Sequence, residues 1–475
     1  FQALPCRDTV SWNGMLSAYI EHGQNEKALC LYRQMQGEGM SPDGATFVIV
    51  FQACGQLAEL QQEEEDASSN AISRRTPRNV QEIGHALHSD AHRRKLTSNV
   101  LVGTAILCMY SKYGALPEAE IMFSKLVHLD TVAWNAMLSA LVDQQQGEKA
   151  LLFYRQMQEE GNNPDQSTFA IVLQACVAIM DKETHIFEKH TTKMMVLEIG
   201  RALHADVYKK DYIEDLQLSS FLLNLYAKLG AVVEAEHIFS MLSELSIVAW
   251  NAMLLAYLEV GQGEKALQLY TVMDERGVVE DNLTFVFILQ ACSMVMVHAQ
   301  LMYQDIGYII HDKTLKKGFF SDLFISSTLV SMYGKCQALV MESENVFSAM
   351  CEHTVASWNA MLCVYVEHGM GEKALQLYAQ VNKRGVFNDK STIITALQAC
   401  AVLVKEERNF LAVDQYTKVR IALELGHALH ANSRREGSEG DSDIRSTLIS
   451  LYGKCGAIVE AEMVFYASYI NDVVL

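Results

Sequence analysis

Only five of the 475 residues are proline, so long stretches are free to run as helix, because an internal proline removes a hydrogen-bond donor and clashes with the preceding turn. Cations are also short: 38 Lys and Arg stand against 57 Asp and Glu, a net charge of −19. Non-specific nucleic-acid affinity comes largely from Lys and Arg neutralising phosphates, so a protein that grips DNA by bulk charge is excluded and no DNA partner is expected. No apolar run approaches the roughly 20 residues of a membrane-spanning helix, and no membrane partner is expected either. None of the 15 His is followed two places later by Glu, and no two Cys are three apart. A zinc deaminase needs that His-x-Glu and Cys-x-x-Cys to hold metal and move protons. No nuclease-like acid cluster is evident, so the stretch is read as non-catalytic, without metal or cofactor. The 11 Cys give an odd number, and Cys54, Cys176, Cys292, Cys400, Cys336 and Cys455 sit at repeat-equivalent helix positions. Buried thiols in a reducing compartment fit them better than a disulfide framework.

What is present is repetition. Trp-Asn, a small residue and Met-Leu occur at Trp12-Asn13, Trp134-Asn135, Trp250-Asn251 and Trp358-Asn359, at spacings of 122, 116 and 108 residues. Such a period marks an array of smaller units. In the first block, Met15, Leu16 and Tyr19 share one helical face, Gly23 breaks the run, and Ala28, Tyr32 and Met35 form a second stripe. Gly39 and Pro42 then close the hairpin. The same pattern spans Thr9–Asp43, Thr131–Asp165, Ile247–Asp281 and Val355–Asp389, each 35 residues long. A second hairpin follows, its first helix ending in Gln-Ala-Cys at Cys54, Cys176, Cys292 and Cys400. Its second helix carries Gly84/His88, Gly200/His204, Gly307/His311 and Gly426/His430. A third, shorter hairpin covers Val100–Asp130, Leu216–Ser246, Leu323–Thr354 and Ser442–Asp472.

The expected fold is all-α, a right-handed α-solenoid superhelix of helix-turn-helix repeats. The chain divides into residues 1–8, the tail of a preceding short unit; triplets at 9–130, 131–246, 247–354 and 355–472; and 473–475, the start of another unit. The array is thus expected to continue past both ends. Insertions within the second hairpins fall near 61–79, 180–195, 296–303 and 405–418. The first, from Glu63-Glu-Glu-Asp66 to Arg74, Arg75 and Arg78, has a disorder-like composition, while Met180–Met195 and Lys405–Lys418 are compatible with extended flanking helices. All are read as edge loops, with partner docking as the second reading.

Strings such as Asp8-Thr-Val-Ser-Trp-Asn13, Met109-Tyr-Ser-Lys-Tyr-Gly114 and Met332-Tyr-Gly-Lys-Cys336 resemble the plant pentatricopeptide-repeat proteins over essentially the whole chain. The resemblance is to the class that alternates standard, long and short motifs, which includes organellar RNA-editing factors. It implies single-stranded RNA of a mitochondrial or chloroplast transcript as partner, proteins of an editing complex as further partners, and catalysis supplied outside this stretch. A tetratricopeptide-like scaffold that binds a peptide is the alternative, as is a role in splicing or RNA stability.

Two positions per hairpin carry the RNA reading. The fifth residue opens the inward helix and the last sits in the turn before the next unit, so stacking is expected to bring them together. In the standard units these are Asn13/Asp43, Asn135/Asp165, Asn251/Asp281 and Asn359/Asp389. An amide offers an acceptor and two donor hydrogens, matching a uracil edge, and the carboxylate would orient it; the resemblance assigns this pair to U. In the short units the pairs are Thr104/Asp130, Ser220/Ser246, Ser327/Thr354 and Ser446/Asp472, of which the first and last are assigned to G by the same resemblance. Val48, Ala170, Val286 and Ile394 hold the fifth place in the long units and would space the strand. Val10, Val132, Val248 and Ala356, at the second position, would flank the bases. The implied target is U-n-G-U-n-n-U-n-n-U-n-G.

Simpler readings exist for each feature. A helix-opening Asn or a turn Asp often only caps free backbone N–H groups, but four identical pairs at one separation exceed what capping requires. The four Trp fit inter-repeat packing better than base stacking. His85/His88 and His427/His430 have metal-compatible spacing, yet Arg201 and Tyr308 fill the first slot elsewhere, so these are read as helix histidines. The pairs Arg93-Arg94, Lys209-Lys210, Lys316-Lys317 and Arg434-Arg435 read as solvated charge with some phosphate contact.

Overall fold

The computed structural model describes residues 8–67, 77–181, 186–213, 215–242, 245–298, 304–336, 339–384, 389–405, 412–435 and 441–472. Residues 1–7 and 473–475, together with the centres of the insertions, therefore lie outside the described residues. The chain separates into two compact units, Phe1–Glu244 and Leu245–Leu475.

In the first unit the helices are α1 (Thr9–Glu21), α2 (Asn25–Gly37), α3 (Gly44–Ala67), α4 (Pro77–Arg93), α5 (Val100–Lys112), α6 (Leu116–Lys125), α7 (Thr131–Asp143), α8 (Gly147–Glu159), α9 (Gln166–Met180), α10 (Ile186–Lys209), α11 (Leu216–Leu229) and α12 (Val232–Met241). In the second they are α13 (Ile247–Glu259), α14 (Gly263–Glu275), α15 (Asn282–His298), α16 (Gln304–Lys316), α17 (Leu323–Gly334), α18 (Val340–Ala349), α19 (Val355–Glu367), α20 (Gly371–Lys383), α21 (Lys390–Lys405), α22 (Ala412–Arg435), α23 (Ser442–Cys455) and α24 (Ile458–Asp472). No strand occurs among the described residues. Within each unit successive odd-numbered helices pack on one another and the even-numbered helices pack against them, giving two layers of stacked hairpins. This is the α-solenoid arrangement.

Each hairpin starts and stops for local reasons. Asp8, Asp130, Asp165, Ser246 and Thr354 cap the helices that follow them, each accepting from a backbone N–H three residues on. Gly23, Gly261 and Gly369 close the first helix of three Trp-Asn hairpins with φ of +68°, +73° and +74°. The second Trp-Asn hairpin, Thr131–Asp165, places Gln145 there, at φ +56°, a conformation that disfavours a side chain.

The core is built from repeated aromatic and thiol positions. Trp12, Trp134, Trp250 and Trp358 are at most 2% exposed, and Trp134 meets Phe123 of the preceding hairpin edge to face at 4.8 Å. Their place is packing, not base stacking. Cys54, Cys176, Cys292 and Cys400 are buried free thiols. His88, His204, His311 and His430 each bond through Nδ1 to a tyrosine 22 residues on, Tyr110, Tyr226, Tyr333 and Tyr452, at 2.8 to 3.2 Å. This contact ties each second hairpin to the third.

One expectation needs correcting. The segment after Gln61 has a disorder-like composition, yet α3 continues through Ala67, because the Gln and Glu run favours helix. Helices α10 and α22 extend into the segments near 180–195 and 405–418, whose composition was already compatible with extended flanking helices.

Candidate nucleic-acid interface

The four Trp-Asn hairpins bring their fifth and last residues into direct contact. Nδ2 of Asn13, Asn135, Asn251 and Asn359 donates to Oδ1 of Asp43, Asp165, Asp281 and Asp389 at 3.1, 3.0, 3.0 and 3.0 Å. The contact spans 30 residues each time because the Asp caps, or directly precedes, the helix that stacks on the Asn helix.

A third residue completes each pair, and sequence reasoning missed it. Thr46, Thr168, Thr284 and Thr392 place Oγ1 2.7 to 2.8 Å from the Asn Oδ1, and their backbone N–H donates to the Asp Oδ1 at 2.7 to 2.8 Å. All four Thr are at most 1% exposed. The signal was legible as Asp-x-x-Thr, a cap whose third helical residue bonds back to it; at Asp165 and Thr168 that box is complete.

The triad fixes which way the amide faces. Partial burial raises each Asp pKa, but the hydrogen bonds from Thr and Asn outweigh it, and all four carboxyls fall below the ordinary 3.8. An ionised carboxylate only accepts, so Nδ2 must point to Asp and Oδ1 to Thr. One N–H and one lone pair of the amide are left over, in a fixed order. Asn13, Asn135 and Asn359 are half-buried. Asn251 departs from them at 5% exposure.

The second-position residues stand out from the surface: Val10, Val132 and Val248 are 75%, 57% and 56% exposed, and Ala356 is exposed as well. In the first unit a groove of about 900 Å³ contains Val132, Asn135 and Asp165 together with Lys112, Asp143 and Asp181. Lys112 there is paired with Glu59 at 3.0 Å. Lys228 pairs with Asp181 at 2.9 Å and Lys335 with Glu367 at 2.6 Å.

The third hairpins differ from the expectation. Ser220, Ser327 and Ser446 turn their hydroxyls onto their own helices, bonding the carbonyls of Leu216, Leu323 and Asp443, as helical serines readily do. Asp130, Ser246 and Thr354 serve as caps for Ala133, Ala249 and Ser357. Asp472 is the last residue of α24 rather than part of a turn, and its side chain lies outside the described residues. Thr104 is the exception, with a buried hydroxyl that has no hydrogen-bond partner. It lines a mainly apolar cavity of about 340 Å³ with Val48, Leu101, Asp130 and Val132. The long-unit residues Val48, Ala170, Val286 and Ile394 are half-buried.

Among the described residues no group of three His, Cys, Asp or Glu could hold a metal ion, and no helix is long and apolar enough to cross a membrane.

Comparison with known proteins places these hairpins. The PPR repeat family model matches residues 7–56, 129–178 and 245–294, and the PPR repeat model matches 356–386 and 445–467. A putative pentatricopeptide repeat-containing protein of Arabidopsis thaliana is 27% identical over 476 residues, covering 100% of this chain and 59% of the relative. A chloroplastic pentatricopeptide repeat-containing protein of the same plant is 28% identical over 401 residues, 84% of this chain and 44% of the relative. A mitochondrial one is 28% identical over 411 residues, 82% of this chain and 41% of the relative. This chain thus spans 59% or less of the length of these relatives. Among solved structures, the maize pentatricopeptide repeat protein PPR10 aligns with a TM-score of 0.42 at 17% identity, covering 96% of this chain and 73% of that one. The same protein in complex with an 18-nt psaJ RNA element aligns at 0.46 and 16%, covering 98% and 75%. Repeat models thus match five segments of this chain, and pentatricopeptide repeat-containing relatives align with most or all of it.

Proposed function

We propose that this chain binds single-stranded RNA in a sequence-selective way, with the four Asn–Asp–Thr triads each selecting a uracil. The observation that carries this is the leftover bonding capacity of the locked amide. Uracil presents an N3–H donor beside O4, and cytosine presents an N3 acceptor beside an N4 donor. An amide whose donor and acceptor cannot exchange places fits one order and rejects the other. The orphan Thr104 hydroxyl beside Asp130, in a base-sized apolar cavity, supports a further reading position flanked by Leu101 and Val132.

On this reading the motifs are of the standard, long and short class, and the chain specifies sites for C-to-U editing of an organellar transcript. Catalysis then comes from outside this stretch, with proteins of an editing complex as partners. Relatives named chloroplastic and mitochondrial support an organellar destination. A splicing or stability role would use the same reading sites.

Lys112, the groove lysine, is paired with an acid, as are Lys228 and Lys335 elsewhere, and this favours a second reading, a peptide-binding scaffold. A gel shift separates the two. It compares the oligonucleotide U-n-G-U-n-n-U-n-n-U-n-G with one carrying C at the four U positions. RNA reading predicts markedly weaker binding to the second; equal or absent binding to both would favour the scaffold.

A further inference from the structure

Each second hairpin closes with a pair of basic residues at the end of its second helix, and in three blocks the second member reaches back to the turn that carries the reading aspartate. Arg94 Nη1 donates to Ser41 Oγ at 3.0 Å, two residues before Asp43. Lys210 Nζ donates to the Pro164 carbonyl at 2.5 Å, next to Asp165. Lys317 Nζ is ion-paired with Oε2 of Glu280, next to Asp281. The acceptors are a hydroxyl, a backbone carbonyl and a carboxylate, so what recurs is the placement of the cation. Lys210 and Lys317 also lie over the rings of Phe169 and Phe285, at 5.5 and 5.8 Å, and each of these Phe directly follows the Thr of its triad.

The third block carries a compensated exchange. Pro42 and Pro164 precede the reading Asp in the first two blocks, whereas the third has Glu280, 6% exposed, and a buried carboxylate requires partners. Besides Lys317, Tyr270 donates to it at 3.0 Å and Lys313 lies 3.8 Å away. Lys313 stands two residues after the helix His, where the first two blocks have Asp90 and Asp206. In the first block Asp90 holds Arg94 at 3.3 Å. A change from Pro to Glu in the turn is thus matched by a change from Asp to Lys on the facing helix, which solvated charge would not require.

We propose that Arg94, Lys210 and Lys317 are positioning residues that clamp the turns bearing Asp43, Asp165 and Asp281, and so hold the carboxylates that lock the reading amides. Their bearing on base choice rests on the RNA reading above; the clamp itself is measurable without RNA.

The test uses the full chain with Lys210→Met, which leaves no buried charge behind, and Lys210→Arg as the conservative control. Hydrogen exchange of the Thr168 amide, which donates to Asp165, reports the turn. Binding to oligonucleotides carrying U or C opposite Asn135, or opposite Asn13, reports reading. Loss of one hydrogen bond predicts roughly fivefold faster exchange at Thr168 and a similar loss of the U-over-C preference opposite Asn135. The preference opposite Asn13 stays as it was, and Lys210→Arg restores both. Unchanged exchange at Thr168 would overturn the clamp. Faster exchange with an intact preference opposite Asn135, or an equal loss at every position, would overturn the positioning role. Should the unaltered protein show no U-over-C preference, faster exchange in Lys210→Met upholds the clamp while the RNA reading fails.

Discussion

Replacing Thr168 by Val tests the triad within the protein itself. The side chain is fully buried, and Val copies its shape, so no cavity opens. What is lost is a hydroxyl that lies 2.7 Å from Asn135 Oδ1 and accepts from the Asp165 N–H at 3.1 Å. Each net hydrogen bond contributes about 1 kcal/mol, and the Asp165 cap on the residue-168 backbone N–H is retained, so loss of the two hydroxyl contacts should destabilise the first unit by about 2 kcal/mol, or roughly 4–8 °C for a unit of this size. Urea and thermal unfolding of the full chain, with hydrogen exchange at the start of α9, would read the change locally. Thr168→Ser keeps the hydroxyl and should retain most of the stability. A Val variant as stable as the original, or a Ser variant as unstable as Val, would refute the reasoning.

Two further outcomes follow from the geometry. Gln145→Gly relieves a left-handed residue at φ +56°; strain of about 1–2 kcal/mol is offset partly by unfolded-state entropy, leaving a net gain of up to about 1 kcal/mol, and a lower urea midpoint would contradict it. Stability should also fall as pH drops below the ordinary histidine value of 6.5, because burial lowers the pKa of His88, His204 and His311. In the window between their folded values and 6.5 the unfolded chain binds more protons, so acid favours unfolding. The four triad Asp, with pKa below 3.8, contribute stability that is present above 3.8 and lost only as pH falls through their folded values. Urea midpoints at pH 7.5 and 5.5 check the histidine part; equal midpoints would refute it.

The starts of the Trp-Asn hairpins were readable because capping and periodicity agree there, and α1, α7, α13 and α19 begin at Thr9, Thr131, Ile247 and Val355. The Asn–Asp partnership was readable from its constant 30-residue separation, which local capping alone would not impose. The third hairpins misled for the opposite reason. A serine on a helix finds an acceptor in its own preceding turn, so Ser220, Ser327 and Ser446 do not depend on the last residue of their unit. The triad threonines went unnoticed because a buried Thr beside Phe47, Phe169 and Phe285 resembles ordinary core, although its place three residues after each Asp was visible. The His–Tyr contacts had the same kind of signal in their fixed 22-residue separation. In Gln61–Ala67, composition suggested disorder, but the helix propensity of the Gln and Glu run carries α3 through it.

The amide lock is tested most directly by Asp165→Asn, which keeps the size and capping oxygen of the side chain but removes its acceptor-only character. Affinities of the original protein and this variant are measured for two RNAs that differ only by U or C opposite Asn135. The original should prefer U by about 1–3 kcal/mol, or roughly 5- to 150-fold, and the variant should lose that preference because the amide is free to reverse. An undiminished preference for U in the variant, or none in the original, would contradict the account.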